Sequence, residues 1–435
     1  MRRVGIRRED KDVWEARVPL VPRDVERLVC AGRASVTVQP SAQRVFADQE
    51  FAGAGALVSE DLARCDVVVA VKEIPLGFFR PETTYAFFSH TIKGQPYNMD
   101  MLRRMMALGC SLLDYERITD DQDRRLISFS RFAGLAGAVD TLWALGRRLE
   151  WEGLSPNPFA VLCQTHTYGG IAAALAAVCA TGKRIAAQGL PAALTPFVIG
   201  VTGYGRVSLG AQEVIDALGA TAVAPDDLAA LVAAPARRDR AYKVVFHERD
   251  MVTPADPSAP FNLEEYLRHP ERYRAAFAGW LPSLSVLVNG IYWEAPYPRL
   301  VTRSDARALW AEESPPRLRV IGDISCDLEG SVELTLKETH LDQPVYVYDP
   351  DTGLISDGVE GRGPVILAVG NLPCELPREA SEAFSHVLSG LMPALVEADL
   401  AAPYGELLLP PELKRALILH HGNLTPDYEY MSRFI

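Results

Sequence analysis

A lysine and a histidine stand at the ends of two apolar runs. Lys72 follows the run in "VVVAVKEIP", and His90 follows the one in "TYAFFSH". Each run reads as a buried strand. If the two strands are parallel neighbours, their carboxyl ends bring an amine and an imidazole to one edge, where ligands of parallel sheets collect. Such a pair suits imine chemistry. A lysine with a depressed pKa trades protons with a carbinolamine or secondary amine, and histidine titrates near neutrality. The plainer alternatives are a solvated strand end for Lys72 and a helix-cap role for His90. Arg17, in "WEARVPLVP", follows the first strand. Its guanidinium forks onto carboxylates, so it holds an acidic substrate or forms a surface ion pair. Lys93 and Arg125 carry the same two readings.

A second constellation lies downstream in "VIGVTGYGRVSLG". An apolar run, Phe197–Val201, precedes Gly203, Tyr204, Gly205, Arg206 and Val207, and a helix follows. In a dinucleotide fold the first glycine makes the tight turn, the second lets the backbone approach a pyrophosphate, and the helix start faces the phosphate charge. Ser208 stands where the third glycine of GxGxxG is expected. A purely structural turn is the alternative. The next strand, "ATAVAPDD", ends near Ala224 by spacing. That neutral residue permits NADP, whereas the nearby Asp226 and Asp227 leave NAD open.

The elements needed to place these groups are legible. "RRVGIRRE", "ASVTVQP", "RCDVVVAVKEIP", "TYAFFSH" and "CSLLDYE" read as strands, with helices at "PRDVERLVCAG" and "NMDMLRRMMALG". Continuous apolar strands alternating with helices indicate a parallel sheet covered on both faces. A long helix is expected from about Gly134 to Glu150, and another over Gly170–Ala180. "YKVVFH", "SVLVNGIYW" and "LRVIGDIS" read as strands, and "FNLEEYLRHPERYRAAFAGWLP" as helix. Short β pieces at "PVYVYD" and "PVILAVGNLP" precede a helix in "REASEAFSHVLSGLMPALVEA".

At 435 residues the chain is long enough for two or three domains. Hydrophobic content of 48% and charged content of 23% are those of a globular enzyme. A net charge of −12 argues against a nucleic-acid or anionic-membrane binder. No apolar run is long enough to span a bilayer, and "MRRVGIRREDKD" is too polar for a signal peptide. Seven scattered cysteines with no CxxC pair suggest a reducing, cytoplasmic setting and no zinc site. The adjacent His420 and His421 lack a third ligand nearby and read as surface residues.

Together "RREDKDVWEARVPLVP", "VKEIP", "TYAFFSHTIKGQ", "FAGLAGAVD", "VNGIYWE", "IGDIS" and "NLPCELPREASEAFSH" resemble, in order and over nearly the whole chain, the lysine–ketoglutarate reductase half of aminoadipic semialdehyde synthase. They are also similar to fungal lysine-forming saccharopine dehydrogenase and, more distantly, to alanine dehydrogenase and a transhydrogenase subunit. The resemblance implies an α/β fold of two Rossmann-like domains with parallel sheets. The NAD(P)-binding domain, residues 134–329, is inserted into a substrate domain of residues 1–133 and 330–435, with the active site in the interdomain cleft. It implies reduction of the imine of L-lysine and 2-oxoglutarate to saccharopine, with NADP as cofactor and NAD as the alternative. Lys72 and His90 match the family's acid/base pair, and Arg17 its carboxylate ligand. Gly203 to Arg206 match its nucleotide turn, and Asp323 the aspartate facing the nicotinamide. No partner beyond small molecules is implied, and a homo-oligomer is compatible with it. The competing readings are a related opine or alanine-dehydrogenase-like enzyme and a non-catalytic nucleotide sensor.

Overall fold

The computed structural model describes residues 1–312 and 314–435. The chain divides into two compact units, Met1–Phe129 with Pro377–Ile435, and Ser130–Leu376. Each is built on one eight-stranded sheet. In chain order the strands are β1 (Arg2–Ile6), β2 (Ala34–Val38), β3 (Leu57–Val58), β4 (Val67–Val69), β5 (Thr84–Phe87), β6 (Ser111–Asp114), β7 (Phe197–Thr202), β8 (Thr221–Ala222), β9 (Ala241–Phe246), β10 (Val252–Pro254), β11 (Tyr273–Ala275), β12 (Val286–Asn289), β13 (Val320–Asp323), β14 (Val345–Tyr348), β15 (Ile355–Asp357), β16 (Val365–Leu367), β17 (Leu417–His420) and β18 (Asn423–Leu424).

The first unit has strand order β18-β17-β6-β5-β4-β1-β2-β3. Strands β1 to β6 run parallel, and the returning segment adds β17 antiparallel to β6. The sheet is therefore mixed at one edge. The central strands are buried at every position, as in "VVV" of β4 and "TYAF" of β5, because helices cover both faces. The helix Pro22–Cys30 starts with proline at its first position and turns Val25 and Leu28 inward. It packs against the C-terminal helix Pro377–Glu397, whose Ser385 hydroxyl donates to the buried Asp24 carboxylate at 2.7 Å. His420, expected at the surface, is buried on β17, where its Nε2 pairs with the Ala402 carbonyl at 2.8 Å.

The second unit has order β15-β14-β16-β13-β12-β7-β9-β8. Strand β14 runs antiparallel to both of its neighbours, β15 and β16, and the other pairings are parallel. The segment Val345–Leu367 lies in this sheet, so the chain returns to the first unit at Pro377 rather than near residue 330. The long helix starts at Ser130, four residues before Gly134, and runs to Trp151. It crosses the helix Arg206–Ala217 closely. A Cβ on Gly134 would fall onto the Val207 carbonyl, and one on Gly210 onto that of Arg131. The helix expected from Gly170 extends to Gln188. The segment read as one helix from Phe261 to Pro282 instead holds a short helix, Leu263–Arg268, and then β11, paired with β10. Pro270 breaks it, since proline lacks the N–H that a continuing helix needs.

Candidate active site

The parallel register sets the first half of the site. Val69 lies opposite Ala86, so Lys72, three residues on, falls opposite Ser89, and His90 lies one residue beyond. Both stand just past the carboxyl ends of their strands. Lys72 is fixed through its backbone. The buried Glu9 carboxylate accepts the N–H of Val71 at 2.7 Å and that of Lys72 at 2.9 Å. The Lys72 ammonium has no hydrogen-bond partner among the described residues. Burial, then the charge of Arg17, pushes its pKa below the usual lysine range, while Glu15 and Glu73 pull the other way.

Arg17 is placed differently from the surface or open-ligand readings. It is 2% exposed, and its guanidinium forks onto the buried Glu15 at 2.7 and 2.5 Å. It also lies over the Phe129 ring at 4.1 Å. Both partners of the ion pair act on Lys72, Arg17 disfavouring its charged form and Glu15 favouring it. Glu9 completes the group. Burial and the Glu15 carboxylate raise its pKa to about 7, against the two backbone donors and Arg7.

His90 adopts a left-handed backbone, φ 50°, which histidine tolerates better than most residues. The Asn98 side chain donates to its carbonyl at 3.1 Å, and its ring stacks over Phe88, centroids 6.1 Å apart. The imidazole stands between two carboxylates. Nε2 is 3.9 Å from Glu73 and Nδ1 is 3.7 Å from Glu116. Glu73 also pairs with Lys11 at 2.7 Å, and Glu116 with Arg125 at 3.1 Å. Burial alone would raise Glu116, but His90, Arg125 and Lys93 outweigh it and hold the carboxyl below its usual range. Lys93 and Arg125 are both exposed. The structure thus gathers Lys72 with Arg17, and His90 with Lys93 and Arg125. No hydrogen bond joins Lys72 to His90, and Glu73 is the acid that faces both. The four glutamates Glu9, Glu15, Glu73 and Glu116 carry no spacing signal of their own. Only strand order brings them to one edge.

In the second unit, β7 ends at Thr202 and Gly203 turns the chain with φ 79°. A side chain there would be strained, and it would press on Ile291. A Cβ built on Gly205 meets nothing within 4 Å, so the backbone is open to a bulky ligand. The twelve-residue helix from Arg206 has no side-chain cap and no acid in its first turn. Its N–H groups fit a phosphate. Ser208, the departure from the glycine pattern, is buried and donates to the Gly203 carbonyl at 2.6 Å. It closes the turn with a side chain. Val207 packs under Gly290. Asp323, at the end of β13, is fully buried. It accepts from Asn289 at 2.8 Å, Ser325 at 2.7 Å and Thr335 at 2.5 Å. Burial raises its pKa in spite of these bonds. Asn289 in turn accepts from Thr202 at 2.8 Å, so the ends of β7, β12 and β13 are tied together beside the turn.

Residues 5–136 match the family model for the alanine dehydrogenase/PNT N-terminal domain. A solved L-alanine dehydrogenase superposes with a TM-score of 0.63 at 19% identity, covering 99% of each chain. The chain therefore shares the fold of L-alanine dehydrogenase. Over 446 residues the chain is 38% identical to an alpha-aminoadipic semialdehyde synthase of Arabidopsis thaliana, covering 99% of this chain and 41% of that one. It is 26% identical to a saccharopine dehydrogenase (NAD(+), L-lysine-forming) of Emericella nidulans, covering 91% and 92%. Over nearly its whole length the chain is thus similar both to aminoadipic semialdehyde synthases and to lysine-forming saccharopine dehydrogenases. It spans about half the length of the semialdehyde synthases it matches.

Proposed function

We propose that the chain is a saccharopine-forming oxidoreductase, which joins L-lysine and 2-oxoglutarate as an imine and reduces it reversibly with NAD(P)H. The observation that carries this reading is Lys72. Its amine sits at a strand end with a lowered pKa, beside a fixed arginine and within one cluster of acids that includes the His90 carboxylates. The names of its relatives support the choice of substrates.

The ε-amine of the lysine substrate attacks the keto carbon of 2-oxoglutarate. Lys72, its neutral form favoured by burial, takes a proton from the attacking nitrogen and returns it to the alkoxide oxygen, which gives the carbinolamine. His90, held between Glu73 and Glu116, gives a proton to the carbinolamine oxygen as water leaves. Arg17 offsets the dicarboxylate through its charge, and the exposed Lys93 and Arg125 offer direct carboxylate contacts. Gly203, Tyr204, Gly205, Arg206 and Val207 hold the dinucleotide, and the buried Asp323 stiffens the strand ends beside it. When bound, the dinucleotide supplies the hydride that reduces the imine carbon. We take NADP as the cofactor, with NAD as the alternative.

The test is a steady-state screen of NADPH and NADH oxidation with 2-oxoglutarate and a panel of amines. Turnover with L-lysine, and product mass equal to saccharopine, supports the reading. Turnover only with ammonia and a small 2-oxo acid would replace it with an alanine-dehydrogenase-like reaction. Binding without turnover would make the chain a sensor.

A further inference from the structure

Spacing alone put the cofactor-reading position at the end of β8, near Ala224. The sheet does not. The strand beside β7 is β9, and β8 lies outside it at the sheet edge. In a dinucleotide fold, the adenosine ribose is read from the end of the strand next to the glycine turn. We propose that His247, at the end of β9, is the residue that reads the ribose 2′ position, and that it selects a 2′-phosphate. This rests on the dinucleotide reading given above.

Four observations carry it. The Gly203 N–H donates to the Phe246 carbonyl at 2.9 Å, so the end of β9 is locked to the turn itself. Ala224 stands one strand further out, a displacement of about 4.8 Å. The exposed imidazole of His247 stacks on Tyr204, between the two glycines, with centroids 4.7 Å apart and planes 20° from parallel. That contact fixes the ring beside the turn. The neighbouring acids are engaged elsewhere. Asp250 accepts the His247 backbone N–H at 2.8 Å, and Glu248 faces the Tyr204 hydroxyl. At the position where an NAD-selecting site places a carboxylate for the 2′-hydroxyl, this chain presents an imidazole. An imidazole donates to phosphate oxygens, whereas a carboxylate repels them.

Binding of 2′,5′-ADP and 5′-ADP to the full chain, measured by calorimetry, tests this without any turnover. The unmodified chain is expected to prefer 2′,5′-ADP. His247→Asp should lower that preference by about 10- to 100-fold, the scale of a charged hydrogen bond lost and replaced by repulsion. His247→Gln should give a smaller loss in the same direction. Ala224→Asp should leave the ratio within about threefold. An unchanged ratio in His247→Asp, or a shift produced by Ala224→Asp instead, overturns the assignment while leaving dinucleotide binding in place. If neither ADP, NADP nor NAD binds, the cofactor reading falls with it.

Discussion

The carboxylate of Glu9 holds the backbone N–H of Lys72 at 2.9 Å. A side chain from the loop after β1 thereby fixes where the strand β4 delivers its lysine. The carboxyl is buried and its pKa is raised to about 7, against an ordinary 4.5. The folded protein therefore binds the extra proton more readily than the unfolded chain between those values. The stability Glu9 contributes is fully present below pH 4.5, falls as pH rises to 7, and is constant above. Glu9→Gln should flatten this slope in denaturant melts taken from pH 4 to 8. An unaltered slope would remove Glu9 as its source.

Lys72→Met should keep the fold and lose about 10²–10⁴-fold in turnover, the range for removing a general acid or base. Lys72→Arg should not restore it, because a guanidinium stays charged at every working pH. His90→Gln should fall in the same range. Circular dichroism spectra that match the parent separate a chemical loss from an unfolded protein. Full turnover in Lys72→Met would end the assignment.

Arg17 tests differently, since it is paired with a buried acid. Arg17→Ala leaves Glu15 uncompensated and should destabilise the first unit by about 3–5 kcal/mol. The double variant Glu15→Leu with Arg17→Met removes both charges and should recover most of that loss in thermal melts. It should still turn over poorly, because the positive charge beside Lys72 is gone. A double variant with normal turnover would make the ion pair purely structural.

Gly134→Ala places a methyl group against the Val207 carbonyl in the first turn of the helix after the glycine turn. The two helices must separate, at a cost of about 1–3 kcal/mol. Dinucleotide affinity should drop with stability. Gly205→Ala, whose Cβ meets no protein atom, should leave stability unchanged and weaken only dinucleotide binding. Equal effects in the two variants would contradict this division.

The central strands were legible because they are apolar at every position, and the strand ends at Lys72 and His90 followed from them. The glycine turn was legible for the same reason. The acids around Lys72 were not, because Glu9, Glu15 and Glu73 sit in loops and Glu116 in the short 3-10 turn Tyr115–Arg117, and their meeting depends on strand order. The segment after Phe261 was misread because aromatic and charged residues alternate there without a helix period strong enough to survive Pro270. The return of the chain at Pro377 was hidden because β14 to β16 are short and add to the second sheet antiparallel in part. Ser208 broke a motif in sequence and preserved its geometry in space, through the bond to Gly203.

The sheet order β7-β9-β8 separates two properties that sequence spacing fuses. On the proposed reading, the stretch from Ala220 to Arg240 is a flap at the sheet edge, outside β9, and its length is uncoupled from the dinucleotide position. Insertions or deletions there are free to accumulate without re-registering the cofactor. A motif scanner that counts residues from the last glycine therefore lands on the flap. Aligning on the strand that bonds to Gly203 lands on His247.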